Sequence, residues 1–186
     1  MGDFLIEIFI KEQKYLNDLT NEIITIPEVK LQLEHSLLSV KKWESKWHKS
    51  FLSEEKTETE MIDYIRCMEI NKNIPKIIYD YMPFYVIEKV ADYIKDPMTA
   101  TTFSNTEDRL LSGMKNIKIT SEIIYYWMIS LNIPVEFEKW HLNQLLTLIK
   151  VINVKNAPKQ KINKREAARR RAKLNAERRA ALNSKG

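Results

Sequence analysis

The sequence predicts an α+β protein that is mainly α: a small N-terminal antiparallel sheet, then a helical bundle, then a C-terminal basic helix. Three observations lead there. Up to about residue 40 the apolar side chains alternate, as they do on a strand with one buried face. From Thr57 onward they recur at helical spacing. From residue 155 onward almost nothing bulky and apolar remains, while Lys, Arg and Ala dominate. Only 3 of 186 residues are Gly, which argues against Gly-rich phosphate loops and against a fold of many tight turns.

Taken in order, "FLIEIFI" (residues 4–10) is rich in β-favouring residues and puts Phe4, Ile6, Ile8 and Ile10 on one face. "EIITI" stops at Pro27, which has no N–H to give a ladder. "KLQLEHSLLSV" (residues 30–40) alternates through Leu31, Leu33 and Leu37, then shifts phase at Leu38 and Val40. That slip predicts a bulge, or a bend where a strand passes into the next element. In "KKWESKWHKSFL" (residues 41–52), Trp43 and Trp47 are four apart and share a face on a helical turn.

"TETEMIDYIRCMEI" opens with acids that oppose the positive end of a helix dipole, and Thr57 with Glu60 has capping-box spacing. "PFYVIEKVADYIKD" follows, with Pro83 in the first turn, Val86, Ile87, Val90 and Ile94 on one side, and Pro97 as terminator. Residues 97–116 form a polar loop with a short helix expected near 107–111. "TSEIIYYWMISLN" is a helix capped by Thr120 or Ser121, with Ile123, Ile124, Trp127 and Leu131 inward. "EFEKWHLNQLLTLIKVIN" is the longest helical pattern of the body, with apolar positions 137, 141, 145, 148 and 152. The last two helices, joined at residues 132–134, are expected to pack as a helical hairpin. Residues 156–164 are a linker by composition. Asn163 and Glu166 repeat the capping-box spacing before a tail helix that runs to Leu182, has no wide apolar stripe, and is expected to fray or to order only against a partner.

The net charge of +5 hides an asymmetry. Residues 155–186 hold 12 Lys+Arg and 2 Asp+Glu (+10), leaving 18 and 23 for residues 1–154 (−5). Two regions follow: a single α+β globular domain at 1–154, and a basic linker with tail helix at 155–186. One cysteine, Cys67, rules out an internal disulfide and is expected to be a small buried hydrophobe. Asp3 and Glu7 interrupt the first apolar stretch and no cationic stretch precedes it, so a secretory leader is not expected. The longest uninterrupted apolar run, residues 123–129, is far short of the roughly 20 residues of a membrane span.

Catalytic signatures are missing. There is no GxSxG elbow, no local Cys–His signature at Cys67, and no GxGxxG or GxxxxGK. His48 and His141 each follow a Trp, and neither has a second ligand of the expected type at helical spacing, so hydrogen-bonded or surface histidines are expected for these and for His35, and no metal or other cofactor. The chain is therefore expected not to be an enzyme. Trp43, Trp47 and Trp140 are the candidate partner-binding residues, because Trp carries large area at low entropy cost. A corner closing sheet onto helices is the competing role for Trp43 and Trp47. Stacking on single-stranded nucleic acid suits them less in an acidic body. Lys164, Arg165, Arg169, Arg170, Arg171, Lys173, Arg178 and Arg179 are the candidate polyanion-binding residues. Without aromatic interleaving, any DNA or RNA contact would be to the backbone. A solvated tail, or an acidic protein partner including a neighbouring copy, are the other readings.

Two stretches, "SLLSVKKWESKWHKSFLSEEKTETEMIDYIRCM" and "TSEIIYYWMISLNIPVEFEKWHLNQLLTLIKVINVKNAPKQK", resemble a group of tailed-bacteriophage proteins of similar length. Members carry a comparable K-W-E-S-K-W corner, a D-Y-I-R-C-M helix, a Y-Y-W-M helix, K-W-H-L-N followed by L-L-T-L-I, and a basic Ala- and Asn-rich tail. The resemblance covers most of residues 36–183. It implies a non-enzymatic phage structural or assembly protein, with tail assembly chaperone as the preferred role. Trp43, Trp47, Trp127, Trp140 and His141 would then be packing or contact positions. It further implies phage structural partners, including the tape-measure protein, many weak contacts in an oligomer or multi-copy array, and a place in the host cytoplasm. The alternative is a head, neck or tail component of the virion whose basic tail contacts DNA or acidic protein surfaces.

Overall fold

A computed structural model describes residues 5–17, 21–71, 73–103, 118–156 and 164–182. The architecture is α+β and mainly α, as the periodicities predict. The chain divides into two units, Met1–Lys155 and Asn156–Gly186. The short helix expected near 107–111 lies outside the described residues.

The first unit opens with four strands: β1 (Ile6–Ile10), β2 (Gln13–Asn17), β3 (Glu22–Ile26) and β4 (Val29–Leu33). They form two antiparallel pairs, β1 with β4 and β2 with β3, where the sequence suggested one small sheet. The registers are continuous. Three residues beyond the Ile10–Val29 pair on each strand comes the Gln13–Ile26 pair. The two pairs are therefore consecutive lengths of one hairpin, interrupted at residues 11–12 and 27–28, where Pro27 has no donor for a ladder.

The interruption also changes which face is buried. Leu31 and Leu33 are enclosed in the first length, but Ile26 is enclosed in the second. Odd and even positions point to opposite faces, so the buried side switches across the break. The outer edge of β4 is covered by the segment after the second helix. Glu34 N–H donates to Met68 O (2.9 Å) and Ile70 N–H to Gln32 O (3.0 Å). The Asn71 side chain extends this pairing: its Oδ1 accepts from Gln32 N–H (2.7 Å) and its Nδ2 donates to Lys30 O (2.6 Å). An exposed strand edge is thereby satisfied by one amide side chain.

Helix α1 (Leu37–Trp47) begins directly after β4, capped reciprocally by Ser36 and Ser39. The phase shift at Leu38 and Val40 is thus a change from strand to helix, with no bulge. Helix α2 (Glu58–Met68) carries the predicted Thr57–Glu60 capping box. A single turn α3 (Ile77–Asp80) and α4 (Phe84–Lys95) follow, with Pro83 immediately before the first helical residue of α4. Helix α5 (Ser121–Ser130) leads to a 3-10 turn (Val135–Lys139) and then α6 (Leu142–Asn156). The pattern from residue 136 to 153 is therefore not one helix. Trp140 adopts an extended conformation (ψ 157°) that separates the 3-10 turn from α6. The second unit contains α7 (Lys164–Ala181).

Helix α1 organises the core. Trp43 is fully enclosed and its Nε1–H donates to the Glu60 carbonyl (2.9 Å), which ties α1 to α2. Phe51 meets Trp43 edge-on (5.3 Å) and also lies against Tyr64 (4.0 Å). Trp47 stacks beside Trp43 (6.2 Å) and donates from Nε1–H to Asp63 Oδ2 (2.8 Å). On the next face, buried Glu44 accepts from Phe51 N–H (2.8 Å) and from Ser121 N–H (2.7 Å). Thr120 makes no side-chain capping bond to α5, so a carboxylate from α1 serves that helix start instead.

The stabilities of three variants test this core. Trp43→Ala is expected to cost about 3–5 kcal/mol in denaturant unfolding, with a clearly smaller loss for half-buried Trp47→Ala. Glu44→Ala is expected to cost about 3 kcal/mol, because it removes two charge-assisted bonds and leaves two buried N–H groups unmet.

Candidate functional site

The three tryptophans proposed as partner contacts occupy different places. Trp43 has no exposed surface and belongs to the core, held as described by Glu60 and Phe51. Trp47 is half-buried beside it. Trp140 is half-buried, stacked on Phe137 (4.0 Å, 14°), and lines a cleft of ≈ 790 Å³ shared with Leu5, Leu38, Met68 and Ile70. The structure does not bring the three together: Trp43 and Trp47 sit on α1, and Trp140 lies at the break before α6.

Large apolar side chains are exposed elsewhere. At the distal length of the hairpin, Leu16 and Ile23 face each other across the strands and are 60% and 69% exposed. They point outward because the buried face switches before β2 and β3. Alongside, Tyr15 stacks on Tyr81 (6.3 Å) and the Tyr85 hydroxyl donates to Phe9 O (3.2 Å). Phe9 and Phe84 are themselves exposed, so the ribbon and the α3–α4 corner present a joint aromatic surface. A second face lies on α5. Ile124, Trp127 and Met128 are buried, whereas Tyr126 and Ile129 point outward, followed by exposed Val135. A helix apolar on all sides normally has cover on all sides. Here the outer stripe has none among the described residues.

The basic helix α7 is the other expected site. Arg169, Arg171, Lys173, Arg178 and Arg179 are exposed. Lys164, Arg165 and Arg170 belong to the same helix, and nothing is described of their side chains. At 3.6 residues per turn the eight positions spread around the whole circumference. The five described side chains are exposed on several sides of the helix and do not gather on a single reading face.

Burial shifts several titratable groups of the interior toward their neutral forms. The Cys67 thiol is half-buried, and burial pushes its pKa up to about 11, which keeps it protonated and unreactive near neutrality. Tyr79 donates to Glu69, and burial raises its hydroxyl well above the usual tyrosine range. His35 and His141 are enclosed with their rings 4.9 Å apart. Burial lowers the pKa of both, that of His35 to about 3. Among the described residues, no group of three or more His, Cys, Asp or Glu could hold a metal ion, and no helix is long and apolar enough to cross a membrane.

Sequence reasoning missed the Glu44 staple, the Asn71 edge pairing and the histidine pair. Each joins residues far apart in the chain, and no local spacing signals it. The exposed α5 stripe did leave a signal: seven consecutive apolar residues on a helix exceed what one buried face can take. No known protein family, curated protein or solved structure matches the chain.

Surface placement has a measurable consequence. Ile129→Asp and Leu16→Asp are expected to leave folding stability within about 0.5 kcal/mol of the parent. The same change at enclosed Ile124 is expected to prevent folding. Thermal melts of the three variants compare them directly.

Proposed function

We propose that the chain is a non-enzymatic morphogenesis protein of a tailed bacteriophage, a tail assembly chaperone that binds the tape-measure protein in the host cytoplasm. The observation that carries this reading is an interior already filled while large apolar side chains remain outside. A body with its own complete core gains nothing for folding from Leu16, Ile23, Tyr126 or Ile129 at the surface. Such faces suit a long, partly helical client held by many modest contacts. Trp47 and Trp140, each half-buried, would add aromatic rims to those contacts, with Trp43 supporting Trp47 from beneath. The cationic α7 would hold acidic patches on the client or on neighbouring copies. Repetition along the client would make the array stable while each contact stays exchangeable.

A second reading has its own support. The exposed basic side chains of α7, Arg169, Arg171, Lys173, Arg178 and Arg179, suit a phosphate backbone as well as they suit carboxylates. On that reading the protein is a head, neck or tail component of the virion and its tail touches DNA.

Mass spectrometry of infected-cell lysate and of purified particles decides between them. The chaperone is expected in the lysate, bound to tape-measure protein, and absent from the particle. A fixed, symmetric copy number in the particle would establish the virion component instead. Within the chaperone reading, Ile129→Asp combined with Leu16→Asp is expected to reduce recovery of the client at least tenfold without unfolding the body.

A further inference from the structure

We propose that His35 and His141 form an acid-sensitive latch, which holds the β4–α1 junction to α2, α4 and α6 while both rings are neutral and releases it when they take up protons.

The latch sits where four parts of the body meet. His35 precedes the cap of α1 and His141 precedes the first residue of α6. Their backbones are joined: Leu142 N–H donates to His35 O (2.8 Å), and Ser36 bridges to His141. From α2, the Tyr64 hydroxyl lies 2.5 Å from His35 Nδ1. From α4, Tyr93 reaches both halves. Its hydroxyl accepts from His35 N–H (3.3 Å), and its carbonyl accepts from His141 Nε2 (3.1 Å).

That last bond determines the tautomer. A carbonyl can only accept, so Nε2 of His141 carries the proton and Nδ1 is a bare lone pair. Nδ1 is buried and meets no partner among the described residues. Protonating it would create a buried donor without an acceptor, beside a second imidazole whose ring centre is 4.9 Å away. Two charged rings in that position would repel.

The surroundings offer little relief. Facing the pair are the hydroxyls of Tyr64 and Tyr93, both pushed up by burial, and Cys67 acts on Tyr64. Glu44 on α1 acts on Tyr64, and Glu34 acts on Tyr93. Burial holds His141 neutral, acting more strongly than the Tyr93 carbonyl and Asp96 at the end of α4, which both favour its charged form. Among the described residues, no carboxylate hydrogen-bonds to either ring.

The direction of the pH effect follows from linkage. Both folded histidines bind protons less readily than the unfolded chain, whose histidines titrate near about 6.5. The unfolded state therefore takes up protons first, and stability is lost as pH falls below that value. One histidine kept neutral raises the unfolding constant about twenty-five-fold between pH 7 and pH 5, and a second multiplies the effect.

Urea unfolding of the full chain at pH 7, 6 and 5, followed by Trp fluorescence, tests the latch in the parent, His35→Gln, His141→Gln and the double variant. The parent unfolding constant is expected to rise more than about twentyfold across this range. Each single variant is expected to show a weaker pH response, and the double variant to lose most of it. A merely structural role would lower stability equally at every pH and leave the response intact, which would overturn the proposal. Should the variants fail to fold, NMR titration of the parent imidazoles decides. Two resonances that stay neutral down to pH 5 support the latch, and ordinary titration of all three histidines in the folded protein refutes it.

Discussion

The Glu44 carboxylate is the constraint around which the body is arranged. It is buried on α1 and shared between the backbone N–H groups of Phe51 and Ser121. An ionised carboxylate removed from water is tolerated only when its lone pairs are met. Meeting them requires two distant segments to arrive together: the turn after α1 and the start of α5. Once they arrive, further polar bonds accumulate. Ser50 Oγ donates to Ile119 O (2.6 Å), Ile119 N–H donates to Ser53 Oγ (3.2 Å), and Lys118 pairs with Glu54. The same turn of α1 carries Trp43, which joins α2. One helix thus determines where α2 and α5 lie, and the polar side of that arrangement is as specific as the apolar side.

Local signals in the sequence gave reliable elements, and long-range partnerships were hidden in it. Helix α2 was legible because its cap, first-turn acids and apolar stripe all lie within the helix and agree with one another. The tail helix was legible from composition. The stretch from residue 30 to 40 was only partly legible: a strand and a helix abut with a short link, so two periods overlap and imitate a bulge. The stretch from 136 to 153 misled for a different reason. Its apolar spacing is helical throughout, yet extended Trp140 stacks on Phe137 and leaves His141 to bridge to Ser36. Tertiary contacts outweighed local propensity at that one residue. The spacing of Trp43 and Trp47 correctly placed them on one face, but spacing cannot say that the first would be sealed and the second left half-open.

Placement of the exposed apolar residues follows from the same geometry. Had the hairpin continued without a break, Leu16 and Ile23 would share the parity of the buried positions in β1 and β4. At the break at residues 11–12 and 27–28 the buried face changes from one side of the ribbon to the other, which leaves both outward. The Ile23 and Leu16 side chains are therefore not residues that failed to find the core; the chain path directs them to solvent. On α5 the cause is compositional, since Ile124, Trp127 and Met128 fill its inner face, Ile123 and Tyr125 lie at its flanks, and Tyr126 and Ile129 are left outside. Two unrelated local causes converge on the same outcome, a folded body with apolar faces left over.

Those faces and the cationic helix respond to opposite physical conditions, which matters for how they could work together. Burial of apolar surface is strengthened by excluded salts such as sulfate. Attraction between a charged helix and an anionic surface is weakened by any salt, over a range of about 10 Å at 0.1 M. The body carries −5 and residues 155–186 carry +10, so the electrostatic component is concentrated in the tail. An encounter steered by the tail and secured by the ribbon and α5 would be fast to form and would tolerate salt once made. One held by the tail alone would dissolve as salt rises. The salt dependence of a complex therefore identifies which part of this chain is holding it, before any residue is changed.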